Sequence, residues 1–211
     1  LFDVTLELGY NWDKFLTLII EIIMSATITS KENGIITIQI TVELSKSMLG
    51  AEEAILDALN EAGNLATGYA LKQFDTDGAP LELAGRTWTS KGLVPKIYQC
   101  PYGEIQIERH LYQNSDGGET VCPLDQDARI RVTSTPRFAK QVSAKYAMLP
   151  AAKVADDLLE NHGRQVSRSY LQNVSEAVGQ IVQQKEETWH YHIPKLPSAV
   201  STVSIGVDGT C

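Results

Sequence analysis

The sequence predicts an α+β protein, and three changes of pattern along the chain carry that expectation. Ile36, Ile38, Ile40, Val42 and Leu44 alternate with Ile35, Thr37, Gln39, Thr41 and Glu43, the two-residue period of a half-buried strand. From about residue 50 to 74 the apolar positions move to helical spacing. Beyond residue 80, short β-rich runs punctuated by Gly and Pro return, and three helical patterns follow from Thr135. The expected organisation is an acidic strand–helix region (24–80), a small antiparallel β module (81–134), a three-helix unit (135–187), a linker (188–202) and a closing strand (203–211).

The helix after residue 50 places Ala51, Ile55, Leu59, Ala62, Ala66 and Tyr69 or Ala70 on one stripe, with Glu52 and Glu53 in its first turn. Gly63 and Gly68 each weaken it by up to about 1 kcal/mol, so a bend is expected there. Asp75-Thr-Asp-Gly-Ala-Pro80 reads as a loop. The β block then comprises Leu81–Leu83, a turn at Gly85, Thr87–Thr89, Lys96–Gln99 and Glu104–Tyr112, with Pro101-Tyr-Gly103 closing a hairpin. In the last strand Ile105, Ile107 and Leu111 share a face with Arg109, which is expected to snorkel to the edge. Asn114–Gly118 is a further loop.

Thr135 before Pro136 is a strong helix start, and that helix is expected to run to about Met148, ahead of Pro150. A second runs from about Ala151 to Asn161 and stops at Asn161-His-Gly163. A third opens at Ser167 and buries Leu171, Val174, Val178 and Ile181.

At 211 residues the chain holds one large domain or two small ones. It opens on Leu, and Met24 is the first candidate start, so residues 1–23 read either as a non-native leader or as a genuine extension. The apolar run Phe15–Ile28 is about 14 residues long, short of the roughly 20 that a membrane span needs, and carries Glu21. It lacks the features of a signal peptide, and no membrane association is expected. Three cysteines, Cys100, Cys122 and Cys211, are too sparse for a disulfide framework and point to a reducing compartment.

The net charge of −8 conceals an asymmetry. Residues 1–82 hold 13 acids against 4 bases, whereas residues 129–173 hold 8 bases against 3 acids. A basic centre behind an acidic front favours an anionic partner for the centre.

The three helical patterns resemble a helix-turn-helix: two short helices, a Gly turn, then a longer helix opening on Ser167-Arg-Ser-Tyr170. Arg164, Arg168, Ser169, Gln172 and Asn173 lie off the apolar stripe and are the candidate DNA contacts, with Arg137, Lys140 and Lys145 as phosphate neighbours. The plainer reading is a three-helix bundle with a solvated polar face. Cys100-Pro and Cys122-Pro, with His110, suggest a zinc site less well than they suggest buried small side chains, because the paired spacing of zinc ligands is missing. His190-Tyr-His192 places two imidazoles on one face of an extended segment, as a metal site or as linker packing. His162 reads as a phosphate contact or a cap. Asp208, on a Gly turn after an apolar strand, is either a metal-binding carboxylate or a turn cap. Its Asp-Gly-Thr context leaves open a fragment of a phosphatase or an actin-like kinase.

Several short motifs occur in a distinctive order. They are Trp88-Thr-Ser-Lys-Gly92, Tyr102-Gly-Glu104, Glu108-Arg-His-Leu-Tyr-Gln113, Cys122-Pro-Leu124, Ala128-Arg-Ile130, Thr135-Pro-Arg-Phe-Ala-Lys140, Lys145-Tyr-Ala147, Asn161-His-Gly-Arg164 and Gly206-Val-Asp-Gly-Thr-Cys211. In these, residues 35–211 resemble the N-terminal half of bacterial insertion-sequence transposases of the ISKra type. The resemblance implies a helix-turn-helix that binds double-stranded DNA at terminal inverted repeats. It also implies the first strand of a truncated ribonuclease-H-like domain of the Asp-Asp-Glu type. Asp208 would be the first catalytic carboxylate and a ligand of Mg²⁺, used in pairs for strand cleavage and joining. The other two carboxylates would lie beyond Cys211, so residues 1–211 alone are expected not to cleave DNA. The implied setting is cytoplasmic and nucleoid-associated, with room for a homodimer. A helix-turn-helix regulator without catalysis fits the same helices.

Overall fold

A computed structural model describes residues 25–114 and 117–189, and over them the chain is α+β: two antiparallel sheets and five helices. Strands β1 (Ala26–Glu32) and β2 (Ile35–Ile40) form a hairpin around Asn33-Gly34, both left-handed at φ 50° and 77°. Asn-Gly is the pair that tolerates such a turn, and it matches the twist of the flanking strands. The periodic run therefore pairs with the polar segment before it, which the sequence pattern did not mark as a strand. The ladder ends at Ile40, short of the expected Leu44.

Helix α1 (Met48–Lys72) runs unbroken through Gly63 and Gly68. Starting at Met48, it places Glu52 and Glu53 beyond its first turn. Its buried residues are Ala51, Ala58, Ala62 and Leu71, while Ile55 and Leu59 of the expected stripe are 39% and 53% exposed. Close approach selects this small-residue face. A Cβ on Gly63 would sit 2.3 Å from the Tyr102 ring, and one on Gly103 would sit 2.1 Å from the Asn64 amide. The two glycines let the helix and the hairpin tip lie against each other, so the glycines that weaken the helix also permit its packing.

The second sheet has the order β3 (Leu81–Leu83), β4 (Arg86–Gln99), β5 (Glu104–Asn114), β6 (Thr120–Val121). β4 and β5 pair from Trp88–Asn114 to Gln99–Glu104, with an irregularity between Ser90 and Leu93 where Gly92 takes φ 92°. The expected hairpin over Pro101–Gly103 closes it. A short helix, α2 (Pro123–Asp127), follows Cys122 with Pro123 at its start, where a missing N–H costs nothing.

Leu71 of α1 packs with Tyr98, Ile107, Cys122, Leu124, Ala128 and Ile130, so one core spans the regions on either side of residue 80. Arg109 does not snorkel to the edge. It is 8% exposed and reaches Asp125 at 3.8 Å, and Asp125 also accepts a 2.5 Å hydrogen bond from the Tyr98 hydroxyl. Burial and that bond hold the Tyr98 phenol protonated, its pKa pushed far up. Burial works to lower the Arg109 pKa, but Asp125, Cys122 and Tyr98 together raise it above its ordinary value. Cys100 and Cys122 are both buried free thiols.

Helices α3 (Pro136–Tyr146), α4 (Ala151–His162) and α5 (Arg168–Glu186) form the C-terminal unit. Phe138, Ala139, Val142, Val154, Leu158, Leu171 and Val174 make its core, and each fully buried large side chain contributes about 1.5–3 kcal/mol. Gly163 ends α4 in the left-handed conformation at φ 61°, as the sequence indicated, and the Ser167 hydroxyl caps α5 by accepting from the Tyr170 N–H. Residues 1–24 and the expected closing strand 203–211, with Asp208, lie outside the described residues, as do His190, His192 and most of the expected linker.

The α1–hairpin contact makes a helix-interior glycine worth keeping. Gly63→Ala should destabilise the protein by about 1–3 kcal/mol in urea unfolding, because the Tyr102 ring must move. Combining it with Tyr102→Ala should recover much of that loss. Gly179→Ala meets nothing within 4 Å and should instead stabilise by about 0.5–1 kcal/mol.

Candidate nucleic-acid interface

The site begins where the hairpin meets the helices. The Gln99 N–H donates to the Thr133 carbonyl at 2.8 Å, and the Thr135 N–H donates to the Gln99 carbonyl at 2.9 Å. The end of β4 thus holds the segment that enters α3. From the far side comes Arg164, just past the left-handed Gly163. Its Nη2 donates to Gln99 Oε1 at 2.5 Å, its Nε donates to the Cys100 carbonyl at 3.2 Å, and its guanidinium lies 5.3 Å from the Phe138 ring centre. Arg164 is 5% exposed, and burial lowers its pKa from the ordinary value, opposed by Cys100, Glu104 and Tyr170. Arg164, expected as a DNA contact, is instead buried, with Nε and Nη2 bonded to the hairpin. The helical period placed it off the apolar stripe of α5, but Arg164 precedes that helix and points at the hairpin.

The other four candidates on the third helix face solvent. Arg168, Ser169, Gln172 and Asn173 are exposed on the first turns of α5, on the side away from Leu171 and Val174. Gln172 donates to Glu176 at 2.7 Å, and the Ser169 and Ser167 hydroxyls are 3.2 Å apart. Among the described residues Arg168 and Asn173 have no side-chain partner, which leaves their donors and acceptors available.

The three phosphate neighbours come together. Arg137, Lys140 and Lys145 line a groove of about 530 Å³ between α3 and the hairpin tip, with Tyr102 on one wall and His162 at the end of α4. No carboxylate lines it. Lys145 is tethered 2.5 Å from Asp157, whose carboxyl is held below its ordinary pKa first by Lys145 and then by Asn161. Arg137 and Lys140 are exposed and have no ion pair among the described residues. Such a groove can take an anion by Coulomb attraction and direct hydrogen bonds. His110 belongs elsewhere, its Nδ1 lying 3.1 Å from Asp75.

A second basic groove, of about 610 Å³, lies on the other flank of α3. Arg129, Arg131, Lys140 and Lys185 line it, and sequence reading nominated only Lys140 among them. The alternation Arg129-Ile130-Arg131 was the available signal, since Ile130 is buried and both arginines are exposed. Arg131 and Ser134 exchange backbone hydrogen bonds of 3.1 and 2.7 Å around Val132, and Tyr170 of α5 contacts the Ser134 and Thr133 hydroxyls at 2.7 and 3.0 Å. Arg129 and Val132 take φ 54° and 59°, a conformation that costs non-glycine residues about 1–3 kcal/mol each.

No protein-family model matches the chain, and no curated protein matches it.

The contrasting settings of Arg164 and Arg168 separate structural from surface roles. Arg164→Ala should cost about 2–4 kcal/mol in urea unfolding, because it strips charged hydrogen bonds from the buried Cys100 carbonyl and the half-buried Gln99 amide. Arg168→Ala should stay within about 0.5 kcal/mol of wild type.

Proposed function

We propose that this chain is the N-terminal, DNA-binding part of an insertion-sequence transposase, with α3, α4 and α5 acting as a helix-turn-helix on the element's terminal inverted repeats. One observation carries the reading: a carboxylate-free basic groove along α3 accompanies an exposed Arg-Ser…Gln-Asn surface on the first turns of α5. In this reading Arg168, Gln172 and Asn173 meet base edges in the major groove, where Arg pairs with guanine and Gln or Asn with adenine. Ser169 steadies them or bonds a phosphate. Arg137 and Lys140 hold the backbone in the groove beside the hairpin, and Lys145 joins them from its tether to Asp157.

Mg²⁺ belongs to this reading through the family resemblance alone. Asp208, its first ligand by that resemblance, lies outside the described residues. Among the described residues no group of three or more His, Cys, Asp or Glu is arranged to hold a metal ion. The proposal therefore concerns recognition, and no catalytic step is built on the ion. No helix among the described residues is long and apolar enough to cross a membrane, and DNA binding would place the protein at the nucleoid.

The test is a titration of terminal-repeat duplex and scrambled duplex at several salt concentrations. Wild type should prefer the repeat. Arg168→Ala with Asn173→Ala should weaken repeat binding by about 1–3 kcal/mol for each base pairing lost, and should erode the preference. Arg137→Ala should weaken both duplexes equally and lower the salt slope by about 1. Equal affinity of wild type for both duplexes would remove sequence recognition, and no binding to either would remove the reading altogether.

A further inference from the structure

We infer that the second groove, formed by Arg129, Arg131, Lys140 and Lys185, is a second binding site for a DNA phosphodiester backbone. The inference rests on the proposed DNA-binding function and adds to it a site on the opposite flank of α3.

Three observations converge on the groove. The first is its charge: four cationic side chains and no carboxylate line it, and none of the four has an ion pair among the described residues. Their convergence on a single cleft concentrates a positive field that favours an external anion. The second is backbone strain. Arg129 and Val132, neither of them glycine, are both left-handed, and the Arg131–Ser134 turn between them and α3 is closed by two backbone hydrogen bonds. Strain of this kind persists where the surroundings over-determine it, and it gathers where geometry serves a ligand. Here it fixes the two arginines on one wall of the groove. The third is anchoring. Tyr170 holds the turn through the Ser134 and Thr133 hydroxyls, so the groove is fixed to the first turn of α5, the surface proposed to meet the bases.

The shape argues for a polymer rather than a free anion. Val178 and Ile181 of α5 line the groove beside the four cations, giving an open trough of about 610 Å³ with apolar wall and charged rim. That suits a sugar–phosphate strand, which presents apolar sugar faces between its charges. Lys140 lines this groove and also the groove beside the hairpin, so α3 stands as a ridge with a basic trough on each side. A helix is about 10–12 Å across, so anions in the two troughs are separated by roughly the width of a DNA groove. The two troughs therefore contact distinct stretches of backbone on one duplex.

The experiment uses the full chain with Arg129→Gln, Arg131→Gln and Lys185→Gln combined, and Arg137→Gln alone as the marker of the other groove. An unchanged urea midpoint establishes that the triple variant is folded. Binding to the repeat and to scrambled duplex is then measured between low and moderate salt. The triple variant should lose about 10- to 100-fold on both duplexes alike, and its salt slope should fall by about 2 to 3. Adding Arg137→Gln should lower the slope by about 1 more, the mark of separate troughs. A folded triple variant with wild-type affinity and slope would overturn the second site while leaving the DNA-binding function standing. A loss confined to the repeat would also overturn it, since backbone contacts carry no sequence preference. If wild type binds neither duplex, the functional reading fails first and the second site falls with it.

Discussion

Arg164 is the constraint on which the rest of the arrangement depends. It leaves the helical unit at the left-handed Gly163 and ends inside the hairpin, bonded to the Gln99 side chain and the Cys100 carbonyl and stacked beside Phe138. A buried guanidinium is expensive unless its donors are met, so those partners oblige the hairpin tip to stay against α3. Everything near the proposed interface inherits its position from that contact. The groove beside the hairpin exists because Tyr102 stands opposite Arg137 and Lys140. The trough on the other flank exists because Gln99 also holds Thr133 and Thr135, and with them the Arg131–Ser134 turn. A residue that sequence pattern assigned to DNA instead holds together the surface that would meet it.

The helix α1 reinforces the same junction from behind. Gly63 admits the Tyr102 ring, Asn64 lies against Gly103, and the Cys100 thiol donates to Asn64 at 3.1 Å. The hairpin tip is thus held between α1 and Arg164. Here α1 meets the hairpin tip and the end of α4 through neutral residues, Gly63 and Asn64 at the hairpin and Asn60 near Gly163.

Sequence pattern revealed what depends on neighbours in the chain and missed what depends on distant ones. The Pro101–Gly103 hairpin, the Thr135–Pro136 start, the Gly163 stop and the opening of the third helix beside Ser167 are local signals and are present, while the runs Thr87–Thr89 and Lys96–Gln99 prove to be one strand. The face that α1 buries was misread because Ile55 and Leu59 are more apolar than Ala58, whereas packing distance favoured alanine. The first strand was missed because its polar composition gives no period, and only pairing with β2 makes it a strand. For the candidate site, exposure of Arg168, Ser169, Gln172 and Asn173 was legible from helical period. Burial of Arg164 was not, because its partners lie more than 60 positions away in sequence. Grouping Arg129 with Lys185 was illegible for the same reason: the trough is a property of three helices and a turn.

In the proposed reading the two troughs need not contribute equally, because their charges differ in how they are paired. In the groove beside the hairpin, Lys145 is already neutralised by Asp157, leaving Arg137 and Lys140 as the permanent unpaired charges. The opposite trough keeps Arg129, Arg131 and Lys185 unpaired among the described residues and shares Lys140. At physiological ionic strength charges are screened beyond about 8 Å, so the chain's net charge of −8 matters less to a docked phosphate than the groups lining its trough. Counterion release scales with the phosphates neutralised. If the chain binds DNA as proposed, the larger sequence-independent share would therefore fall to the trough that sequence pattern did not single out, with the Lys145–Asp157 tether making the hairpin groove the more modest contributor.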